Sequence, residues 1–342
     1  MSAARGRDPG DEDGIDDTDV LAGCAIDVAG VPIRLHASDA RRADAVASLF
    51  RHAAVSTSSP VATLSFAEPD VAVPDTEPDS QGASADLWRP APGELRIRSH
   101  EGLTAIATAD EIAVGGDTAG LARVFRYTCF LALTHLLAQH GHHLLHAGAI
   151  VIDGQAVVVL GDTGSGKSTL VFAASRQRWP VLSDDVVALH RTGDDLVVRG
   201  LPRPVSVPRD VTDVIPGGRA VPDDYRERTE LPGGTLTRDE HTVHAVVVMA
   251  GDGDDTGDPA GAPREAVARL GGQTTLRAAL RAGPSLSDPV HLPEMLAIAA
   301  ALARRPAWLL THGPDPADAI ADATRALETV RTWLDEYDDD RS

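Results

Sequence analysis

Gln155-Ala-Val-Val-Val-Leu160 leads directly into Gly161-Asp162-Thr163-Gly164-Ser165-Gly166-Lys167-Ser168, and Thr169-Leu-Val-Phe-Ala-Ala174 continues from it. An apolar run of strand length, a complete G-x-x-x-x-G-K-[ST] loop and an apolar run at helical spacing follow without interruption. That context separates a phosphate-binding loop from a chance match in a chain rich in Gly and Ser. In such a loop successive backbone N–H groups wrap an anion and the lysine ammonium reaches the terminal phosphates. The next hydroxyl, here Ser168, is placed to hold Mg2+. Lys167 is also the only lysine in the 342-residue sequence. Whatever pressure replaced lysine by arginine elsewhere stopped at this position.

Two features flank the loop. Upstream, Ala147-Gly-Ala-Ile-Val-Ile152 and Gln155 to Leu160 enclose Asp153-Gly154. Asp-Gly between two apolar runs predicts a hairpin, because a type I′ turn needs positive φ at both central positions. Most phosphate loops are instead fed by a strand of a parallel βαβ unit. Downstream, Asp184-Asp185 follows the strand-like Pro180-Val-Leu-Ser183, 17 and 18 residues after Lys167. Carboxylates at a strand end beside a phosphate loop can bind Mg2+ and accept the proton of an attacking hydroxyl. An acidic turn is the bland reading of such a pair, and its coupling to the loop favours chemistry.

Further out, residues 1–19 are acidic and almost free of apolar side chains, which predicts a disordered tail with no signal-peptide h-region. Residues 20–116 read as a small β-rich domain, with strands near Ala25–Ala29, Val31–Leu35, Val61–Phe66, Glu94–Arg98 and Leu103–Ala107. Pro69 to Pro92 reads as a long surface loop. Asp117 or Thr118 is expected to cap a helix through Leu121, Phe125, Leu131 and Leu137 that ends near Gly141 and opens a second domain, residues 117–338. That domain is expected to carry strands near Val181–Ser183, Val186–Leu189, Leu196–Arg199 and Val243–Met249. A disordered Gly/Asp insertion follows at about 251–263. Two helices, the strand Ala307–Thr311 with Trp308 in the core, and a helix from about Pro316 to Glu336 complete it. Asp335 to Asp340 reads as a solvated acidic end, and no internal repeat is present.

Composition narrows the function. A formal net charge of −20 repels phosphates at long range, so neither nonspecific nucleic-acid binding nor an anionic membrane surface is expected. No run of about 18 apolar residues is present to span a bilayer. Cys24 and Cys129 are too few for a disulfide framework or a thiolate zinc site, which suits the cytoplasm. Five histidines, His135, His140, His142, His143 and His146, crowd ahead of the hairpin without the spacing of a zinc motif. A homo-oligomer is left open.

Taken together, His146-Ala-Gly, the hairpin, Gly-Asp-Thr-Gly-Ser-Gly-Lys-Ser-Thr and Leu182-Ser-Asp-Asp-Val-Val resemble the C-terminal domain of the HPr kinase/phosphorylase family. The resemblance is tight over Leu145 to Leu189 and looser through Arg199-Gly-Leu-Pro-Arg-Pro-Val-Ser206 and Pro306 to Gly313. It spans about half the chain and leaves out the N-terminal part. It implies an α/β (α+β mixed) P-loop kinase domain, of a fold shared with phosphoenolpyruvate carboxykinases, with a Walker A loop fed by a hairpin. It further implies ATP and Mg2+ as cofactors and a serine-type hydroxyl as acceptor, on a protein, a peptide or the free amino acid. Residues Gly161 to Thr169 would cradle the nucleotide and Lys167 would clamp the γ-phosphate. Ser168, Asp184 and Asp185 would manage the metal, the Asp pair would supply the general base, and His146 would set that base's protonation. One departure matters. The family places a Glu two residues before Arg-Gly-Leu in its metal site, and this chain has Val197 there. A kinase is therefore expected, and not a phosphorylase.

Other classes fit less well. A GTPase needs a second lysine in N-K-x-D, and the loop has Lys-Ser where a dinucleotide fold needs a third glycine. An ABC-type signature is missing around Gly271-Gly-Gln273. Arg199, Arg203, Arg209 and Arg264 are candidates to neutralise phosphoryl charge, with surface solvation the plainer role for each. The main alternative is a non-catalytic ATP-binding sensor that controls a partner. A sensor has no need of His146, Asp184 and Asp185 together.

Overall fold

A computed structural model describes residues 25–50, 53–56, 58–66, 71–81, 85–116, 121–201, 206–208, 219–222, 227–230, 236–250, 267–283, 291–310 and 319–339. The acidic tail, the proposed cap at 117–118 and the insertion at 251–263 lie outside them. The architecture is mixed α/β.

The first sheet is built from β1 (Ala25–Val28), β2 (Val31–Ala37), β3 (Ala54–Val55), β4 (Ala62–Phe66), β5 (Ser80–Gln81), β6 (Ala85–Trp88), β7 (Leu95–Ser99), β8 (Thr104–Ala107) and β9 (Glu111–Gly115). Their order is β3-β1-β2-β4-β9-β8-β7-β6-β5, with β2, β4 and β9 mutually parallel and the other pairs antiparallel. Strict alternation sets its faces: Val31, Ile33, Leu35 and Ala37 point into a core while Arg34 and His36 face solvent. Two findings depart from the expected β-rich domain of strands joined by turns and one long loop. Helix α1 (Ala40–Phe50) links β2 to the parallel β4, and its buried Ala43, Val46, Ala47 and Phe50 recur at helical spacing. The stretch read as a long loop contributes β5 and β6, and Trp88 Nε1 donates to the Thr76 carbonyl at 2.9 Å.

Helix α2 (Leu121–Gln139) lies against this first sheet. Its Cys129, Ala132, Leu133, Leu136 and Leu137 join the core of Val46, Phe66 and Ile97. Leu144, Val186 and Ala188 belong to the same cluster, so this core runs on into the second sheet.

The second sheet comprises β10 (His143–Leu145), β11 (Gly148–Ile152), β12 (Gln155–Leu160), β13 (Val181–Ser183), β14 (Val187–Thr192) and β15 (Asp195–Gly200). A three-stranded antiparallel sheet of β16 (Ser206–Pro208), β17 (Arg219–Pro222) and β18 (Glu227–Glu230) intervenes in the chain before β19 (His241–Met249), β20 (Val267–Arg269) and β21 (Ala307–Leu310) complete the second sheet. Its main path runs β10-β14-β15-β19-β12-β11-β13, and β21 continues beside β19. The hairpin forms as read: Gly148 faces Val159 and Ile152 faces Gln155, with Asp153 at φ 49° and Gly154 at φ 87° in the turn. On its other side β12 pairs with β19 in parallel.

Helices cover both faces, which is why 156–160 and 245–249 read as unbroken apolar runs. Val157 and Val159 pack with α3 (Lys167–Arg176) and α6 (Ala319–Asp339), while Ala156, Val158 and Leu160 pack with α4 (Gly272–Ala282) and α5 (Leu292–Ala303). Trp308 is buried under α6 and stacks on Trp333, ring centroids 5.4 Å apart. Among the described residues no helix is long and apolar enough to cross a membrane.

His142 and His143, where α2 hands over to β10, are pushed from 6.5 down to about 4, chiefly by burial. Nearby histidines, His190 for the first and His291 for the second, add to the effect. The unfolded chain therefore binds these protons at a higher pH than the folded one, and stability falls as pH drops from about 6.5 toward 4. Urea midpoints taken across that window should decline with acid, and His143→Gln should flatten the decline.

Candidate functional site

Strand direction brings the nominated residues to one edge. β11 runs antiparallel to β12, so His146, just before β11, lies at the end where β12 opens into Gly161–Ser168. β13 also runs antiparallel to β11, with Ser183 opposite Ala149, so Asp184 and Asp185 emerge at the same end. The Asp turn is held by Ser183, whose Oγ accepts from the Asp185 N–H at 3.2 Å and the Val186 N–H at 3.1 Å.

The two carboxylates differ in setting. Asp184 is buried at 4% exposure, whereas the Asp185 side chain is 40% exposed. His146 Nδ1 lies 3.1 Å from Asp185 Oδ1. With its proton on Nδ1 the ring donates to the carboxylate, which fixes the tautomer and leaves Nε2 outward. The His146 backbone is pinned as well, its N–H donating to the Ala282 carbonyl at the end of α4 at 2.7 Å.

The glycine-rich loop is shaped by close approach. Gly161 has φ 149°, and a Cβ there would stand 2.5 Å from Ser165 Oγ and 2.9 Å from both Cβ and O of Met249. Gly166 ends the loop as the N-cap of α3, and no side chain caps that helix. The first N–H groups of α3 therefore face outward toward the loop, the arrangement that favours an anion. Ser168 and Thr169 lie in that first turn.

Lys167 is only 6% exposed, and its Nζ donates to the carbonyls of Gly161 at 2.6 Å and Asp162 at 3.0 Å. Burial lowers the ammonium's pKa below its usual value. Three carboxylates oppose that shift, Asp185 most strongly, then Asp162 and Asp184. Lys167, the Asp pair and Asp162 thus share one electrostatic neighbourhood, to which Asp185 ties His146.

The other histidines stand apart from it. His135 donates through Nε2 to the Gly93 carbonyl at 3.0 Å, and His140 to the Ala109 carbonyl at 2.6 Å. His142 lies against His190, ring centroids 4.6 Å apart, and His143 against His291 at 6.1 Å. Arg199 is drawn away too, its Nη2 and Nε lying 2.8 and 2.9 Å from Glu240 Oε2. Val197 is buried in β15 between His190 and Thr242. Arg203, Arg209 and Arg264 lie outside the described residues. Sequence reasoning passed over Arg281, in the last turn of α4, whose Nη1 lies 4.0 Å from Asp162 Oδ2. No local pattern could have found it, because only the docking of α4 brings it to the loop.

Among the described residues no three His, Cys, Asp or Glu side chains converge to hold a metal ion. A Mg2+ ion of the nucleotide-binding kind needs no such cage, since waters and phosphate oxygens fill most of its octahedron. One buried carboxylate, Asp184, and one hydroxyl, Ser168, are a donor set of that kind.

Comparison with known proteins adds little. No family model matches the chain, and no curated protein matches it. Among solved structures, the Hpr(Ser) kinase/phosphatase from Coxiella burnetii overlaps it with a TM-score of 0.30 at 17% identity, covering 58% of this chain and 96% of that one. At that TM-score the likeness carries no argument about what this chain does.

The tightness around Gly161 is testable. Gly161→Ala must push Ser165 or the Met249 backbone aside, at a cost of roughly 1–3 kcal/mol. Urea unfolding should show that loss, with the β12–β19 junction losing amide-exchange protection first.

Proposed function

We propose that this chain is an ATP- and Mg2+-dependent kinase that transfers the γ-phosphoryl group to a hydroxyl, of the serine type, on a protein, a peptide or the free amino acid. The observation that carries this reading is the 3.1 Å contact of His146 with Asp185 beside a loop whose Lys167 feels both aspartates. Binding a nucleotide needs the loop alone. A half-exposed carboxylate paired with a histidine is the equipment for taking a proton from an incoming nucleophile.

In this reading the backbone N–H groups of Gly161 to Thr169 hold the β- and γ-phosphates. Lys167 exchanges its two carbonyl partners for phosphate oxygens. Ser168 and Asp184 would hold Mg2+, which would supply neutralisation of the phosphate charge. Asp185 accepts the proton of the acceptor hydroxyl as its oxygen bonds to the γ-phosphorus, and ADP departs with the electrons of the broken P–O bond. His146 donates to Asp185 and keeps the carboxylate aimed. The order of His146, hairpin, loop and Asp pair, which resembles the HPr kinase/phosphorylase domain, supports the same assignment. Val197 offers no carboxylate for the metal site, which supports the forward reaction only.

Lys167→Ala should lower turnover by roughly 10²- to 10³-fold. Asp185→Asn should keep ATP binding while abolishing transfer by roughly 10²- to 10⁴-fold. Asp184→Asn should weaken the Mg2+ dependence instead. Incubation with γ-labelled ATP, Mg2+ and host extract identifies the acceptor, and full activity in Asp185→Asn would remove the base assignment.

A further inference from the structure

We propose that Arg281 is a second phosphate-binding cation of this site, held on Asp162 until a triphosphate arrives and then bound to the terminal phosphoryl group. The inference rests on the phosphoryl-transfer reading and extends it to a residue outside the loop.

Placement is the first argument. Arg281 lies in the last turn of α4, and the next residue, Ala282, accepts the His146 backbone N–H at 2.7 Å. The helix end that carries the guanidinium is thus fastened to the segment that carries His146. α4 is itself seated in the core through Ala279 and Ala282. The helix end is fixed, and its fixing keeps the guanidinium within reach of the loop.

The second argument is the strength of its contact with Asp162. The Arg281–Asp162 contact is 4.0 Å long between side chains 62% and 60% exposed. An exposed pair of this kind is nearly neutral energetically, so giving up the Asp162 contact itself costs little. Asp162 belongs to the loop itself, so this carboxylate holds Arg281 at the place where the anion binds.

Charge is the third. Lys167 is the loop's only lysine, and Asp162, Asp184 and Asp185 surround it in a chain of net charge −20. A triphosphate adds more negative charge to a neighbourhood already rich in it. Arginine keeps its charge throughout and binds phosphate oxygens as a planar fork, with the specificity a bidentate donor brings.

The test separates terminal-phosphate recognition from a plain helix-end charge. Binding of Mg-ATP and Mg-ADP is measured by calorimetry for the wild type, Arg281→Ala and Arg281→Lys, with thermal midpoints alongside. Arg281→Ala should weaken ATP roughly tenfold or more while leaving ADP within about twofold. Arg281→Lys should recover part of the loss, and the midpoints should stay together. Equal losses for ATP and ADP, or none, would overturn the assignment and leave Arg281 as a favourable charge at a helix C-terminus. A wild type that binds neither nucleotide would instead overturn the kinase reading on which it rests.

Discussion

The register of the β11–β12 hairpin sets the site. Asp153 and Gly154 take the two positive φ values of the turn, and from there Gly148 must face Val159. A slip of one residue would turn Val157 and Val159 from α3 and α6 toward α4 and α5, exchanging one packed core for the other. Both faces are buried, so neither core tolerates the exchange. The same register fixes where β12 stops, and therefore where the glycine-rich loop begins relative to His146. β13 is aligned on β11 in turn and delivers the Asp pair to the same edge.

Electrostatics at that edge follow from crowding. A buried ammonium is costly, and Lys167 is tolerated because two carbonyls and three carboxylates surround it. The loop satisfies its own cation from its own backbone. A phosphate must therefore displace real hydrogen bonds, and its charge adds to that of three carboxylates that the lysine alone does not neutralise. Asp184 and Asp185 divide the work by exposure. The buried one is shielded from acceptor and bulk water, and the half-exposed one is reachable.

What could be read from the sequence was what local chemistry writes there. The Asp-Gly turn, the apolar runs around it and the loop between strand and helix are all contiguous signals, and each reappears in the fold. Helix α1 was legible in principle, since Ala43, Val46, Ala47 and Phe50 keep helical spacing, but a run of strands on both sides masked it. β5 and β6 are short and set among Pro, Asp and Ser, where turn chemistry outweighs weak strand propensity. The packing of α2 on the first sheet depends on residues far apart in the chain, and so does the approach of Arg281 to Asp162. Arg199 is the opposite case, a candidate whose plainer role stands. A basic residue in a motif-like stretch looked available for phosphate, and a glutamate 41 positions away holds it instead.

The solitude of Lys167 reaches beyond charge. Lysine-directed acylation, alkylation, Schiff-base formation and isopeptide attachment all need an accessible ε-amine, and the sequence holds one, 6% exposed and bonded to two carbonyls. The folded surface formed by the described residues is therefore inert to side-chain amine chemistry. An amine-reactive group delivered by a nucleotide, by contrast, would meet a single side-chain amine, and one adduct would report on the loop alone.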